Sequence, residues 1–238
     1  MQNLQEALAV LAVLAMLIIV PVAVFSYEKY NSFGKYPAGT QEFIRLTDIS
    51  EIDNLDPEIK KLPEFQSLLK LKNSASLKQC EIAIAPPGPG LKVLTLTGMG
   101  WSGTWTTQPV MAHNYWRTTY KPYVLLVAHE GDEVLIRLKT ADVYHYFTIP
   151  PSIIPGDKYV QIPPGYVTET SFKLEEDFDA GSYTFACHIT CGKCHKVMNG
   201  TFLVLGANQT LEDYQDKFDP ARPEELEGCH SLRHEIKK

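Results

Sequence analysis

Cys187, Cys191, His195 and Met198 follow one another at intervals of four, four and three residues in one short loop, CHITCGKCHKVM. Thiolates, imidazole and thioether are soft or borderline ligands. They suit copper and not magnesium or calcium, which take hard oxygen donors. Two cysteines four apart on a compact loop can bridge two metal ions. The His and Met that follow can then cap one ion each, provided a second histidine arrives from elsewhere. That is the ligand set of a dinuclear copper electron-transfer centre. The loop also carries a rival signature. Cys191-Gly192-Lys193-Cys194-His195 is a complete C-x-x-C-H, the attachment pattern of a c-type haem. The two chemistries exclude each other, since both claim Cys191 and His195. Haem finds no second axial ligand at a useful distance, because Met198 lies only three residues past His195. Outside haem chemistry, Cys194 reads as a small, half-buried residue.

The elements that must hold such a loop are strands. Lys92 to Thr97, Tyr123 to Ala128, Glu133 to Lys139, Tyr144 to Ile149, Val167 to Leu174, Ser182 to Cys187 and Thr201 to Leu205 are short β-branched or aromatic runs separated by Gly, Pro, Asp and Asn. Their number and spacing predict a mainly β, Greek-key sandwich or barrel. The run Pro86-Pro87-Gly88-Pro89-Gly90 is the clearest boundary, since it continues neither helix nor sheet. Before it, residues 27–90 read as a polar, partly helical linker region. Pro63 and Glu64 open a helix there through Phe65, Leu68, Leu69 and Leu71. Residues 91–206 form the domain, and 207–238 a charged, solvated tail.

The required second histidine is His145, in Asp142-Val143-Tyr144-His145-Tyr146-Phe147 on a predicted strand. A histidine on a strand is by itself an ordinary core or edge residue. Taken with the loop, however, the chain resembles subunit II of the haem-copper oxidases (cytochrome c oxidase type), which carries a dinuclear CuA centre on a cupredoxin domain. The resemblance rests on Asp-Val-x-His-x-Phe at 142–147 and Cys-x3-Cys-x3-His-x2-Met at 187–198. Pro164-Gly165, Ala180-Gly181-Ser182-Tyr183 and Asn199-Gly200 add to it, and it covers about residues 120–206. It implies Cys187 and Cys191 as bridging thiolates and His145 and His195 as imidazole ligands. It further implies Met198 as one weak axial ligand and the backbone carbonyl of Ile189 as the other. Two departures stand out. Ile189 occupies a position where many relatives have Glu, and the stretch from Pro150 to Pro164 makes the His145-to-Cys187 separation longer than expected.

From Ala7 to Phe25 the chain is apolar without interruption, long enough to span a bilayer as a helix. A secretory signal peptide would want a basic start and a small-x-small cleavage site. MQNLQE contains no Lys or Arg, and Phe25-Ser26-Tyr27-Glu28 is a poor cleavage site, so residues 1–26 are read as a retained single-pass anchor. Lys29 and Lys35 after the helix would by charge alone weakly favour a cytoplasmic domain. The family resemblance implies the extracytoplasmic face instead. A formal net charge of -6 over 238 residues speaks against nucleic acid and for a basic partner. Glu175, Glu176, Asp177 and Asp179 are candidates to attract such a donor, with a solvated loop as the plain alternative.

Trp116 in Ala112-His113-Asn114-Tyr115-Trp116 is the first candidate for electron entry, with Trp101, Trp105 and Tyr115 behind it. Cys80 and Cys229 form a candidate disulfide between linker and tail. The resulting expectation is an electron-entry subunit relaying single electrons from cytochrome c or another small donor, through CuA, to haem in a large integral membrane subunit. That partner reduces oxygen or nitric oxide. The rivals are a membrane-tethered copper carrier and a c-type haem protein. The copper domain of nitrous oxide reductase shares the loop, but the chain is too short for that enzyme.

Overall fold

The computed structural model describes residues 36–100, 102–108, 123–150, 159–175, 180–192 and 194–217. The expected anchor, the aromatic segment at 112–116 and most of the charged tail lie outside them. No helix among the described residues is long and apolar enough to cross a membrane. Two compact units divide at Thr40. In the first, the described residues form a turn in which Thr40 donates to the Pro37 carbonyl at 3.2 Å. The second runs from Gln41 onward and holds every described strand.

Two sheets make up this mainly β unit. One has β1 (Gln41–Glu42), β4 (Leu91–Met99), β7 (Glu133–Thr140) and β10 (Thr168–Lys173) in that order, with β5 (Thr104–Thr106) pairing on β4. The other runs β2 (Ile44–Leu46), β3 (Cys80–Ile84), β6 (Tyr123–His129), β12 (Asn199–Leu205), β11 (Gly181–Cys187), β8 (His145–Thr148) and β9 (Val160–Ile162). All seven sequence-predicted strands are present. Trp105, Leu126, Ile136, Phe147, Phe185 and Phe202 fill the space between the sheets.

At β3, β6 and β12 the seven-stranded sheet is buried on both faces. On β6, Val124, Leu126 and Ala128 face the other sheet, while Tyr123, Leu125 and Val127 join a second core. The cover over that second core is Ile49, Ile52, Phe65, Leu68 and Leu77, from two 3-10 turns and helix α2 (Pro63–Leu71), which follows the short α1 (Pro57–Lys60). Pro63 at the first helical turn costs α2 no hydrogen bond, because that N–H has no intrahelical partner anyway. The reading of 27–90 as a polar linker therefore differs from the fold. Residues from Gln41 on supply three strands and the outer cover, and β3 is buried along its whole length. The Cys80–Cys229 bridge is likewise corrected: Cys80 is a buried thiol whose Sγ donates to the Ser76 carbonyl at 3.3 Å.

One ion cluster ties the helical cover to the strands. His129 Nε2 meets Glu64 of α2 at 2.7 Å, and its Nδ1 lies 3.5 Å from Asp132. Burial opposes charging of the ring, but hydrogen bonds to Asp132 and Glu64 outweigh it and raise the pKa from 6.5 to about 9. A group with a raised folded pKa stabilises fully below its unfolded value, and this contribution fades as pH climbs through the folded one. Stability should therefore drop by roughly 3 kcal/mol between about pH 6.5 and about pH 9.5. Urea titrations across that window should show the fall, and His129→Gln should flatten it.

Candidate metal centre

Alternation along β8 sets the geometry. His145 and Phe147 point inward and are fully buried, and β8 pairs with β11 so that Phe147 lies opposite Cys187. His145 Nδ1 thereby comes within 3.6 Å of Cys187 Sγ. His145, Cys187 and Cys191 offer one ligand atom each, all within 4.8 Å of one another.

The loop after β11 folds back on this point. Cys187 Sγ contacts the Ile189 carbonyl at 3.2 Å. Cys191 Sγ lies 3.7 Å from His195 Nδ1 and 3.6 Å from Met198 Sδ. A 3-10 turn, His195–Val197, sets these last two side chains, and the Cys187 N–H donates to the Met198 carbonyl at 3.1 Å to close the loop. The structure thus gathers all six residues that the sequence singled out as metal ligands. Trp105 is buried beside them, whereas Trp116, Trp101 and Tyr115 lie outside the described residues, as does Cys229. Of the acidic tract, Glu175 is described, pairing with Lys173 at 3.2 Å.

The two cysteines share a proton unequally. The hydrogen bond between them lowers the pKa of Cys187, while the same contact raises that of Cys191. Burial opposes a charge on His145, but the hydrogen bonds and charges of Asp142 and Cys187 together outweigh it and raise its pKa. Asp142 Oδ1 sits 2.9 Å from His145 Nε2. It also accepts from the Val143 N–H at 2.7 Å, which fixes the carboxylate. An imidazole that gives its Nε2 proton to a carboxylate turns the Nδ1 lone pair toward the sulfurs, as a ligand must.

Cys194 is buried and is half of a disulfide that involves none of the thiols Cys80, Cys187 and Cys191.

Several contributors were not assigned a role from sequence. The β4–β5 hairpin forms the floor of the site. A Cβ on Gly98 would meet Met198 Cε and Trp105 at 3.0 Å, and one on Gly100 would meet the Cys191 carbonyl oxygen at 2.2 Å. Trp105 Nε1 donates to the Met198 carbonyl at 3.3 Å, and its ring lies 5.9 Å from that of His145. A buried carboxylate pins this strand: Glu81 accepts from Thr106 Oγ1, the Thr107 N–H and Gln108 Nε2 at 2.8 to 3.0 Å. Burial still holds its pKa above the ordinary value. Glycine inside a strand marks a close backbone approach, so Gly98 was the available signal.

No family model matches the chain, and no curated protein matches it. Among solved structures it is similar to a haem-copper terminal oxidase dimer determined by cryo-EM, at 17% identity and a TM-score of 0.33. That match covers 83% of this chain and 99% of the other. It is also similar to the periplasmic domain of subunit II of the cytochrome oxidase of Bradyrhizobium japonicum, at 19% identity and a TM-score of 0.36, over 55% of this chain and 94% of that one. A third is auracyanin A, a blue copper protein from Chloroflexus aurantiacus, at 16% identity and a TM-score of 0.32, over 49% of this chain and all of that one.

Proposed function

We propose that this chain is the electron-entry subunit of a membrane terminal oxidase of the cytochrome c oxidase type, or of a related nitric oxide reductase. One observation carries the reading: the ligand atoms of His145, Cys187 and Cys191 lie buried within 4.8 Å of one another, and the Ile189 carbonyl, His195 Nδ1 and Met198 Sδ lie 3.2 to 3.7 Å from one or other sulfur. A donor set of two cysteine sulfurs flanked by imidazoles, with a thioether and one carbonyl beyond, fits copper and suits a hard cation poorly. Cys187 and Cys191 would bridge, His145 and His195 would each hold one ion, and Met198 and the Ile189 carbonyl would complete the set. A copper pair so held supplies a one-electron store shared over both ions.

The chain's part is to keep the ligands still. Asp142 orients His145, Trp105 and the Cys187 N–H fix the Met198 carbonyl, and the sheets exclude water from the sulfurs. Residues 1–26 would anchor the domain to the membrane with its copper site on the extracytoplasmic face. The donor would be cytochrome c or another small redox protein, and the acceptor haem in a large integral subunit. The disulfide at Cys194 argues against the haem alternative, since C-x-x-C-H attachment needs a thiol from each cysteine.

Metal analysis and electron paramagnetic resonance on the full-length protein in detergent, loaded with copper, test the reading. Two coppers per chain with one unpaired electron spread over both nuclei are expected. A single localised copper, or covalently bound haem, would overturn it.

A further inference from the structure

Residues at the start of β8 that turn away from the candidate metal centre make a second feature. Tyr144 and Tyr146 point to the opposite side from His145, and their rings meet edge to face with centroids 5.6 Å apart. Tyr146 stacks on Tyr159 at 4.7 Å, 14° from parallel. Tyr159 in turn stacks on His188 at 5.4 Å, 11° from parallel. His188 is the covalent neighbour of Cys187, and its N–H donates to the Tyr146 carbonyl at 2.8 Å. Four rings therefore run in unbroken contact across the surface and end one residue from a bridging sulfur.

Tyr159 is in this ladder because of the long Pro150–Pro164 stretch. That segment returns as β9, which pairs with β8 so that Gln161 lies opposite Tyr146. Gln161 also accepts from the Tyr144 hydroxyl at 2.9 Å. β9 is an edge strand, and the residue just before it, Tyr159, completes the aromatic stack.

The ladder is open to solvent. Tyr144 is 39% exposed, Tyr159 40%, and the flanking Val143 and Ile189 are 44% and 37% exposed. Exposed apolar groups gathered in one place mark a contact surface and not a random sprinkling, and aromatic residues are enriched where proteins meet. None of Val143, Tyr144, Tyr146, Tyr159 and Ile189 carries a charge, and the carboxylate of Asp142, next to Val143, is turned to His145. These five uncharged side chains match a partner with an uncharged, apolar rim around its cofactor.

The geometry points to this ladder as the electron port of the chain: a donor protein with an apolar contact rim docks on Tyr144, Tyr159 and Ile189 and reduces the metal centre through His188 and Cys187. The inference rests on the function proposed above. One electron leaves the donor's cofactor and is gained by the copper pair. No bond forms or breaks, no proton moves, and the tyrosines conduct by contact without being oxidised. Ring-to-ring contact is the part that matters, because electronic coupling weakens steeply across gaps.

Two measurements on the full-length protein in detergent test this, with reduced azurin as a donor of apolar rim and a basic mitochondrial-type cytochrome c as the charged comparison. In the metal-free protein, amide resonances at 143–146, 159 and 188–189 should shift on adding azurin. In the copper-loaded protein, Tyr159→Leu should slow stopped-flow reduction by azurin about tenfold. Tyr159→Phe, which keeps the ring, should restore the wild-type rate. Dithionite reduction and the resonance spectrum should be unchanged in both variants. The azurin rate should vary less than about twofold between about 20 mM and about 500 mM salt. Azurin shifts confined to other residues, or a Tyr159→Leu protein as fast as wild type, would overturn the port. So would faster reduction by the basic cytochrome with a steep loss in salt. A wild-type chain lacking the two-copper signal defeats the function on which the port rests; a chain that has the signal but ignores Tyr159→Leu defeats the port alone.

Discussion

Gly100→Ala should lower the melting temperature by about 5–10 °C and weaken copper binding by more than about tenfold. The added Cβ would stand 2.2 Å from the Cys191 carbonyl oxygen and 3.0 Å from its carbon, with His145 Cε1 also at 3.0 Å. A flexible side chain in the way would rotate aside. Here the obstacle is the backbone of Cys191, a candidate ligand, so relief requires moving either the β4–β5 hairpin or the cysteine loop. The hairpin is held by Glu81 through Thr106 and Thr107, which leaves the loop to yield. Overpacking of this kind costs about 1–3 kcal/mol, and the displacement falls on Cys191. Gly181→Ala is the control, because its nearest neighbour is the Tyr183 ring at 3.8 Å. It should leave both quantities nearly unchanged. Thermal unfolding and competitive copper titration read the two variants side by side. Equal behaviour of the pair would mean that the floor of the site is not rigid.

The second large effect belongs to Asp142. Asp142→Ala removes the partner of His145 Nε2 and should cost about 100-fold in copper affinity, while Asp142→Asn should cost about tenfold. The asparagine can still accept the Nε2 proton through its amide oxygen and so preserves the tautomer. It loses the charge that supports the imidazole's basicity. Alanine loses both, and it also strips the Val143 N–H of its acceptor. Because His145 is fully buried, no water replaces the missing carboxylate readily. Copper titration against a calibrated chelator gives the affinities. An Asp142→Ala protein that binds as tightly as wild type would show that the ring is oriented by packing against Trp105 alone.

Legibility in the sequence depended on where each signal resides. The ligand loop is local, and its residue types and spacing were readable because Cys187, Cys191, His195 and Met198 sit within twelve positions. The seven long strands announced themselves as β-branched runs between turn residues. The strand β3 did not, because Glu81 breaks an apolar stretch, and only the partners supplied by Thr106, Thr107 and Gln108 make a buried carboxylate tolerable. β5 and β9 have three residues each, too short for any periodicity, and exist through pairing with longer neighbours. The outer cover did leave a trace in the strands beneath it. Tyr123 to Ala128 and Phe202 to Leu205 are apolar at consecutive positions, the pattern of strands covered on both faces. Such strands require a second layer, and the supposed linker supplies it. The floor of the candidate site left only Gly98 as a trace, because it is built by pairings between β4, β5 and a loop almost a hundred residues away.

That cover has a practical consequence for anyone cutting the chain. The Pro-Gly run at 86–90 invites a soluble fragment starting at residue 91, which would retain every candidate ligand. Such a fragment would discard β2, β3 and α2 together. Leu125, Val127, Leu203 and Leu205 would lie bare on one broad sheet, and β6 would become an open edge with its backbone donors unmatched. Long exposed edges beside apolar surface template aggregation. A truncated protein meant to stay in solution must begin before Gln41.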